Sequence, residues 1–298
     1  MELGIRQAIA VNNHLQTSDP NIFAIGDAIE VKQIVNGHPA IIPLASPANR
    51  QGRMVADIIS GIDRQYSGSL GTTIVQVFDQ CAAVTGLNEK QLRSCGMEYE
   101  AVHTSPNDHA SYYPGSRAMT VKLLFDPKNG RLLGAQAVGE KGIDKTIDIL
   151  ATAIKAKMNV ADLTQLELAY APPFNSARAP VNLLGYAAQN ILEQKLGTVQ
   201  WYEVDRLVND GDVLLDVRTE NEYHNGFIDG AINIPLDDLR DRVHELPKNK
   251  PLIVTCQVGL RGYLATRILA QNGYKVKNLD GGYKLYKTVF PEKVKEKI

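Results

Sequence analysis

Cysteine is scarce in this chain: the 298 residues include three, Cys81, Cys95 and Cys256. They are an odd number with no CxxC pair, which fits free thiols in a reducing compartment better than a disulfide framework. No apolar run approaches ~20 residues, so no helical membrane span is expected. The opening Met1-Glu2-Leu3-Gly4-Ile5-Arg6 has neither a basic nor an apolar region, so no secretory leader is read there and a cytoplasmic setting is expected. Excess charge of one sign is also missing, with 32 Lys+Arg against 33 Asp+Glu. That balance argues against an electrostatic affinity for nucleic acid or an anionic membrane. No metal site is expected. Finally, no Gly-x-Gly-x-x-Gly occurs anywhere, so the loop that cradles a dinucleotide pyrophosphate is absent.

What is present is an ordinary globular composition, 44% hydrophobic and 22% charged, long enough for two domains or three small ones. Ile22-Phe23-Ala24-Ile25 reads as a buried strand stopped by Gly26-Asp27. A helix is expected after Pro47-Ala48-Asn49, with Met54, Val55, Ile58 and Ile59 at helical spacing. The small, flexible stretch Ser67-Gly68-Ser69-Leu70-Gly71 marks a boundary. Beyond it, Thr73 to Val84 is rich in β-branched residues. Val121–Phe125 and Leu132–Val138 flank Asp126-Pro127-Lys128-Asn129-Gly130, a hairpin signal because Asn-Gly supplies positive φ. A helix from about Ile143 to Met158 would carry Ile147, Leu150, Ala151 and Ile154 on one face, filling a core or making a contact. Strands followed by helices suggest an α+β domain, ending around Leu192 to Val199.

From Trp201 the pattern changes to short strands alternating with helical segments. Val213–Leu215, Ala231–Ile234 and Leu252–Thr255 are the strands of an expected parallel, doubly wound α/β sheet. Cys256 follows the last of these and precedes a helix beginning near Leu260. Ligands of open α/β sheets gather at the carboxyl ends of strands. The loop Cys256-Gln257-Val258-Gly259-Leu260-Arg261, curled by a glycine and leading into a helix N-terminus, can form an anion nest. A thiolate at its centre is expected to titrate below the ~8.5 of a free cysteine, and the outer sulfur of a persulfide would sit in the same cradle. Arg261 is expected to add a permanent charge at the rim.

These segments resemble the rhodanese family. Asp216-Val217-Arg218-Thr219 with Glu222, Gly230-Ala231-Ile232-Asn233-Ile234-Pro235, the Cys256 loop and Leu279-Asp280-Gly281-Gly282-Tyr283 match its order and spacing over about Trp201 to Phe290. The resemblance implies a persulfide on Cys256, held by Gln257, Val258, Gly259 and Leu260 and passed to a nucleophilic acceptor. Some phosphatases share the fold but carry a longer loop; here only four residues separate Cys256 from Arg261. The family often has Gly-His-Ile where this chain reads Gly226-Phe227-Ile228, and His224 nearby reads as a surface residue.

The first two thirds carry a second resemblance. Thr17 to Ala28, with Gly26-Asp27, resembles the second FAD fingerprint of flavin disulfide reductases, in which the aspartate binds the ribityl chain. Pro43-Leu44-Ala45-Ser46-Pro47-Ala48-Asn49-Arg50-Gln51-Gly52-Arg53 looks like the helix that covers the flavin in those enzymes. Residues from about Gly71 resemble their interface domain. His109-Ala110-Ser111-Tyr112-Tyr113-Pro114-Gly115 and Leu168-Ala169-Tyr170-Ala171-Pro172-Pro173-Phe174 are similar to the coenzyme A-disulfide reductase branch, including members fused to a rhodanese domain. In that branch two tyrosines assist catalysis across the dimer. Tyr170 matches one; Tyr112 or Tyr113 matches the other. Ala177-Arg178-Ala179-Pro180 departs from the usual Ala-Lys-Asp-Pro.

The resulting expectation has three parts. Residues 1–66 are the remnant of an FAD-binding domain, 67–195 an α+β dimerisation domain, and 198–298 a doubly wound α/β rhodanese domain. The family's redox cysteine has no counterpart here, so the chain looks like the C-terminal part of a larger reductase. The resemblance implies FAD, NAD(P)H and coenzyme A for the parent enzyme, sulfur donors and thiol acceptors as small-molecule partners, and a homodimer. Gly26, Asp27, Pro43, Leu44 and Ala45 are the expected flavin contacts, with FAD held weakly or not at all by this chain alone. A dimeric sulfur carrier without redox chemistry is the alternative, and a phosphatase using the Cys256 loop a more distant one.

Overall fold

The computed structural model describes residues 1–295; the last three of the expected rhodanese span, 296–298, lie outside the described residues. The chain divides into two compact units. One comprises 1–99, 124–126 and 131–159, the other 100–123, 127–130 and 160–298.

In the first unit, Thr73–Val77 and Gln80–Gly86 form an antiparallel hairpin, and the second strand pairs on with Leu132–Gly139, Cys81 opposite Gly139 through Gly86 opposite Gly134. The Asn129-Gly130 turn closes as expected, with the Asp126 amide donating to the Arg131 carbonyl at 2.9 Å and Gly130 at φ +72°. Helix Ile143–Lys155 lies against this sheet and buries Ile143, Ile147, Leu150 and Ile154. Its apolar stripe therefore fills the unit's own core, with Ala151 half-buried at its edge. The helix stops three residues short of Met158 because Lys157 turns left-handed.

The expected strand at Ile22–Ile25 does not form. Phe23 makes one isolated bridge to Gln16, and Ile22 and Ile25 are exposed. Two backbone bonds, Thr17 N–H to Ile22 O and Ala24 N–H to Leu15 O, are too few to build a ladder. An apolar run becomes a buried strand only when neighbours satisfy its backbone on both sides. The helix after it does form, over Ala45–Ile59, packing Met54 and Val55 onto a small cluster of Leu15, Ile29 and Val31.

The second unit contains a five-stranded, all-parallel sheet in the order Ile232–Asn233, Val213–Asp216, Leu252–Thr255, Val276–Leu279, Thr198–Val199. The last two strands escape the sequence reading because they are short and polar-interrupted. Both faces are covered. Leu215, Leu252 and Val254 pack against Ala265 and Leu269 of helix Leu260–Gln271 on one side. Leu214, Ile253 and Leu279 pack with Tyr283 and Tyr286 of helix Gly282–Val289 on the other. Double coverage explains why these strands read as continuous apolar runs rather than alternating ones. The same unit holds strand Glu100–Thr104, on which helix Pro180–Leu192 packs, and the neighbouring short helix Val160–Gln165. Among the described residues, no helix is long and apolar enough to cross a membrane.

Candidate functional site at the Cys256 loop

Leu252–Thr255 is buried at every position and delivers Cys256 to the carboxyl end of the sheet, where its side chain is 1% exposed. The chain then reverses into helix Leu260–Gln271 through Gly259, at φ +112°, a backbone region that side-chain-bearing residues avoid. This turn aims the Gly259 amide at the sulfur, N–H to Sγ at 3.1 Å. Gln257 and Val258 are half-buried around it, and Leu260 is exposed. The Gly259 amide is thus a fixed hydrogen-bond donor to the sulfur at this position.

The floor of the loop comes from helix Gly282–Val289. Tyr283 N–H donates to the Cys256 carbonyl at 2.7 Å and Lys284 N–H to the Gln257 carbonyl at 3.0 Å. Such close approach requires glycine at 282, since a Cβ there would lie 2.4 Å from the Cys256 oxygen. Beneath the Tyr283 ring, the Arg218 guanidinium stacks at 3.8 Å. Arg218 is buried and pairs with the fully buried Asp216, Nη2 to Oδ2 at 2.6 Å, while also donating to the Gly226 carbonyl.

Arg261 does not stand as a free charge at the rim. Its guanidinium is clamped in a two-pronged pair with Glu222, at 2.7 and 2.6 Å. Those bonds hold the Glu222 carboxyl down to about 2 against the opposing effect of burial, helped by the Thr219 amide. Glu222 is placed by a reciprocal cap in which it accepts from Thr219 while the Thr219 hydroxyl accepts from the Glu222 amide. The sequence carries the cap as Thr-x-x-Glu, but not the pairing of Glu222 with Arg261. His224 is exposed, as expected.

The tyrosines sort themselves. Tyr112 and Tyr170 hydroxyls lie 2.9 Å apart on an exposed surface, whereas Tyr113 packs edge-on against the His109 ring. The Tyr112 hydrogen bond, with a smaller contribution from burial, raises the Tyr170 hydroxyl above its ordinary value. Cys81 and Cys95 are half-buried free thiols.

At the flavin-like segment, Gly26 at φ +75° begins a short turn whose amide donates to Gln51 Oε1 at 2.7 Å, tying it to helix Ala45–Ile59. Asp27 is exposed, with no partner for its carboxylate among the described residues. Leu44 stands extended at the helix start, which has no side-chain cap and no acidic residue in its first turn, and Pro43 and Ala45 are exposed beside it. An uncapped helix start next to an unpaired carboxylate fits a ligand bearing hydroxyls and carbonyls. The residues present at this segment fit the ribityl and ring portion of a flavin.

Comparison with known proteins finds two family matches along the chain. Residues 200–288 match the family described as "Rhodanese-like domain", and residues 72–180 match "Pyridine nucleotide-disulphide oxidoreductase, dimerisation domain". The chain thus joins a stretch that matches the dimerisation domain to a stretch that matches the rhodanese-like domain. Among solved structures it is similar to CoADR-RHD of Bacillus anthracis, with 55% identity and a TM-score of 0.96 over 98% of this chain and 53% of that one. It is similar also to an NAD-dependent persulfide reductase from A. fulgidus, with 37% identity and a TM-score of 0.89 over 96% and 52%. A coenzyme A disulfide reductase of Staphylococcus aureus (strain bovine RF122 / ET3-1) is 38% identical over 182 residues, 61% of this chain and 41% of that protein. The chain thus spans about half the length of the relatives it matches, or less.

Proposed function

We propose that Cys256 carries sulfane sulfur as a persulfide and hands it to a thiol, within the parent activity of reducing CoA disulfide, CoA persulfide or polysulfide. The observation that carries this reading is the Gly259 amide on Sγ at 3.1 Å, in a strand-end loop whose carbonyls are bolted to helix Gly282–Val289. In the transfer step, an acceptor thiolate attacks the outer sulfur of the Cys256 persulfide. The bond between Sγ and that sulfur breaks, its electron pair stays on Sγ, and the acceptor leaves as a persulfide. No outside oxidant is needed. Gln257, Val258 and Leu260 wall the same sulfur, and Arg261 acts through Glu222 to fix the helix start.

Flavin, when bound, would bring electrons from NAD(P)H to a sulfur–sulfur bond. On this chain, Gly26, Asp27, Pro43, Leu44 and Ala45 would hold its ribityl and ring portion, and Tyr170 with Tyr112 would place a hydroxyl pair at a partner subunit's reaction site. The reading includes a homodimer, so light scattering is expected to report about twice the 32.7 kDa chain mass. A stable monomer would leave the tyrosines a packing role only.

The direct test is mass spectrometry after incubation with thiosulfate or polysulfide. The peptide holding Cys256 gains one sulfur, and Cys256→Ser loses transfer to cyanide or a thiol. Full transfer by Cys256→Ser would sink the proposal.

A further inference from the structure

Asp280 is a buried carboxylate, 3% exposed, and a charge so placed persists only when donors surround it. Four hydrogen bonds reach it. Gln200 Nε2 donates to Oδ2 at 3.1 Å. The backbone N–H of His103 donates to Oδ1 at 2.9 Å and to Oδ2 at 3.1 Å. The His103 ring completes the set, Nδ1 to Oδ2 at 2.6 Å. A carboxylate can only accept, so Nδ1 carries the hydrogen. Gln200 Nε2 also donates to the Ala101 carbonyl at 3.1 Å, so the network grips strand Glu100–Thr104 at two residues.

His103 falls in the stretch matching the dimerisation domain, and Asp280 in the stretch matching the rhodanese-like domain. Asp280 leads directly into the glycine turn beneath the sulfur loop. Gly281 and Gly282 take φ +72° and +61°, and the next two amides are those that donate to the Cys256 and Gln257 carbonyls. From the His103 ring to the sulfur loop there are thus two bonded steps and three residues of constrained backbone. A shift of Asp280 moves the start of helix Gly282–Val289, and that helix start is the floor under Cys256.

Resting on the reading of Cys256 as the sulfur carrier, we propose that His103 is a positioning residue for it, acting through Asp280 and the Gly281-Gly282 turn. The strand of one domain thereby sets the geometry of the thiol in the other. His103 also lines a cavity of about 310 Å³ with Val258, Gly259 and Leu260, so a direct role for its Nε2 in contacting substrate is the competing account. The two accounts separate by which ring nitrogen matters.

Asparagine places a donor where Nδ1 stands and removes Nε2; glutamine reaches toward the Nε2 position instead. We therefore compare His103→Ala, His103→Asn and His103→Gln in the full chain. Two rates are measured: alkylation of Cys256 by iodoacetamide, and sulfur transfer from thiosulfate to cyanide. His103→Ala and His103→Gln are expected to lose about tenfold or more in both, as small misplacements of a reacting group do, with the donor KM little changed. His103→Asn is expected to stay close to wild type. If His103→Asn falls as far as His103→Gln, or if neither falls, the positioning role is wrong. Should His103→Ala not fold, the Asn and Gln pair still decides. The outcome is separable from the sulfur-transfer reading itself, because alkylation reports on Cys256 even if the wild type transfers no sulfur.

Discussion

Leu252–Thr255 ends at Cys256 with a parallel neighbour on each side, whereas Ile22–Ile25 ends at Gly26-Asp27 with one isolated bridge behind it. Both segments pair a short apolar run with a glycine-bearing turn that leads toward a helix. In the first, the ladder buries the whole strand and the terminal residue inherits a fixed position, so one amide can be aimed at one sulfur. In the second, Ile22, Ile25 and Asp27 are exposed, and the turn is held through the Gln51 side chain. A site motif specifies chemistry. A site also needs satisfied backbone on both flanks to give that chemistry a geometry.

The comparison predicts that damage to the Cys256 region is costly, and the sharpest case is the Asp216–Arg218 pair. Both side chains are buried, and removing the arginine leaves the Asp216 carboxylate without its guanidinium while freeing the Gly226 carbonyl. Breaking a buried pair from one side costs about 3–5 kcal/mol. Trp201, the single tryptophan, packs in the same core and reports the unfolding of this region by its fluorescence. Arg218→Ala is expected to lower the denaturant midpoint accordingly, and a loss below about 1 kcal/mol would mean the pair is not the anchor it looks to be. Next comes Gly282→Ala. Its Cβ would meet the Cys256 carbonyl at 2.4 Å from a left-handed backbone, which is expected to cost about 2–3 kcal/mol and to change the alkylation rate of Cys256. An unchanged rate would show that the helix start does not control the thiol.

Glu222 gives a smaller, pH-dependent effect. Its folded carboxyl sits at about 2, below the ordinary 4.5, because of Arg261. A depressed carboxyl stabilises the fold above its unfolded pKa, and that contribution fades as pH falls from about 4.5 toward 2. The group is about a third exposed, so solvent screening reduces the expected contribution to about 1 kcal/mol at neutral pH. Glu222→Gln is therefore expected to be less stable than wild type at pH 7 and indistinguishable from it near pH 2. A gap that persists at low pH would assign the loss to packing instead.

How much of the molecule is readable from sequence obeys the same division. The Cys256 loop, the helix start at Leu260, the strands Val213–Asp216, Ile232–Asn233 and Leu252–Thr255 and the turn at Asn129-Gly130 all rest on local chemistry, and local chemistry is written in neighbouring residues. The edge strand Thr198–Val199 is two residues long and has no periodicity to detect. His103 escapes for a different reason: its partner lies 177 residues away, and a single histidine in a strand announces nothing. The Arg261 charge reads as a rim charge because spacing shows where a guanidinium sits but not that Glu222, 39 residues earlier, returns to meet it. The stripe Ile147, Leu150 and Ile154 is readable as apolar, and only packing shows that the core of its own unit takes it.

The smallest expected effect belongs to Asp27, and it tests the other side of the comparison. Its carboxylate is exposed and bonded to nothing among the described residues, so Asp27→Asn removes no interaction that the fold uses. Calorimetric unfolding is expected to stay within about 0.5 kcal/mol of wild type. What should change is affinity for a flavin. The wild-type chain is expected to take up FAD weakly on titration, because Asp27 and the uncapped start of helix Ala45–Ile59 offer contacts to the ribityl and ring portion while no glycine-rich loop receives the pyrophosphate. Asp27→Asn should weaken that uptake further by removing an acceptor for hydroxyls. Free FMN, which lacks the pyrophosphate and adenosine, should be weakened by the substitution to the same extent as FAD. Stoichiometric flavin in the purified wild-type chain would overturn the expectation, since it would mean that the pyrophosphate finds donors the segment does not display. A large loss of stability in Asp27→Asn would overturn it from the other direction, by showing that this turn is as tightly integrated as the one at Cys256.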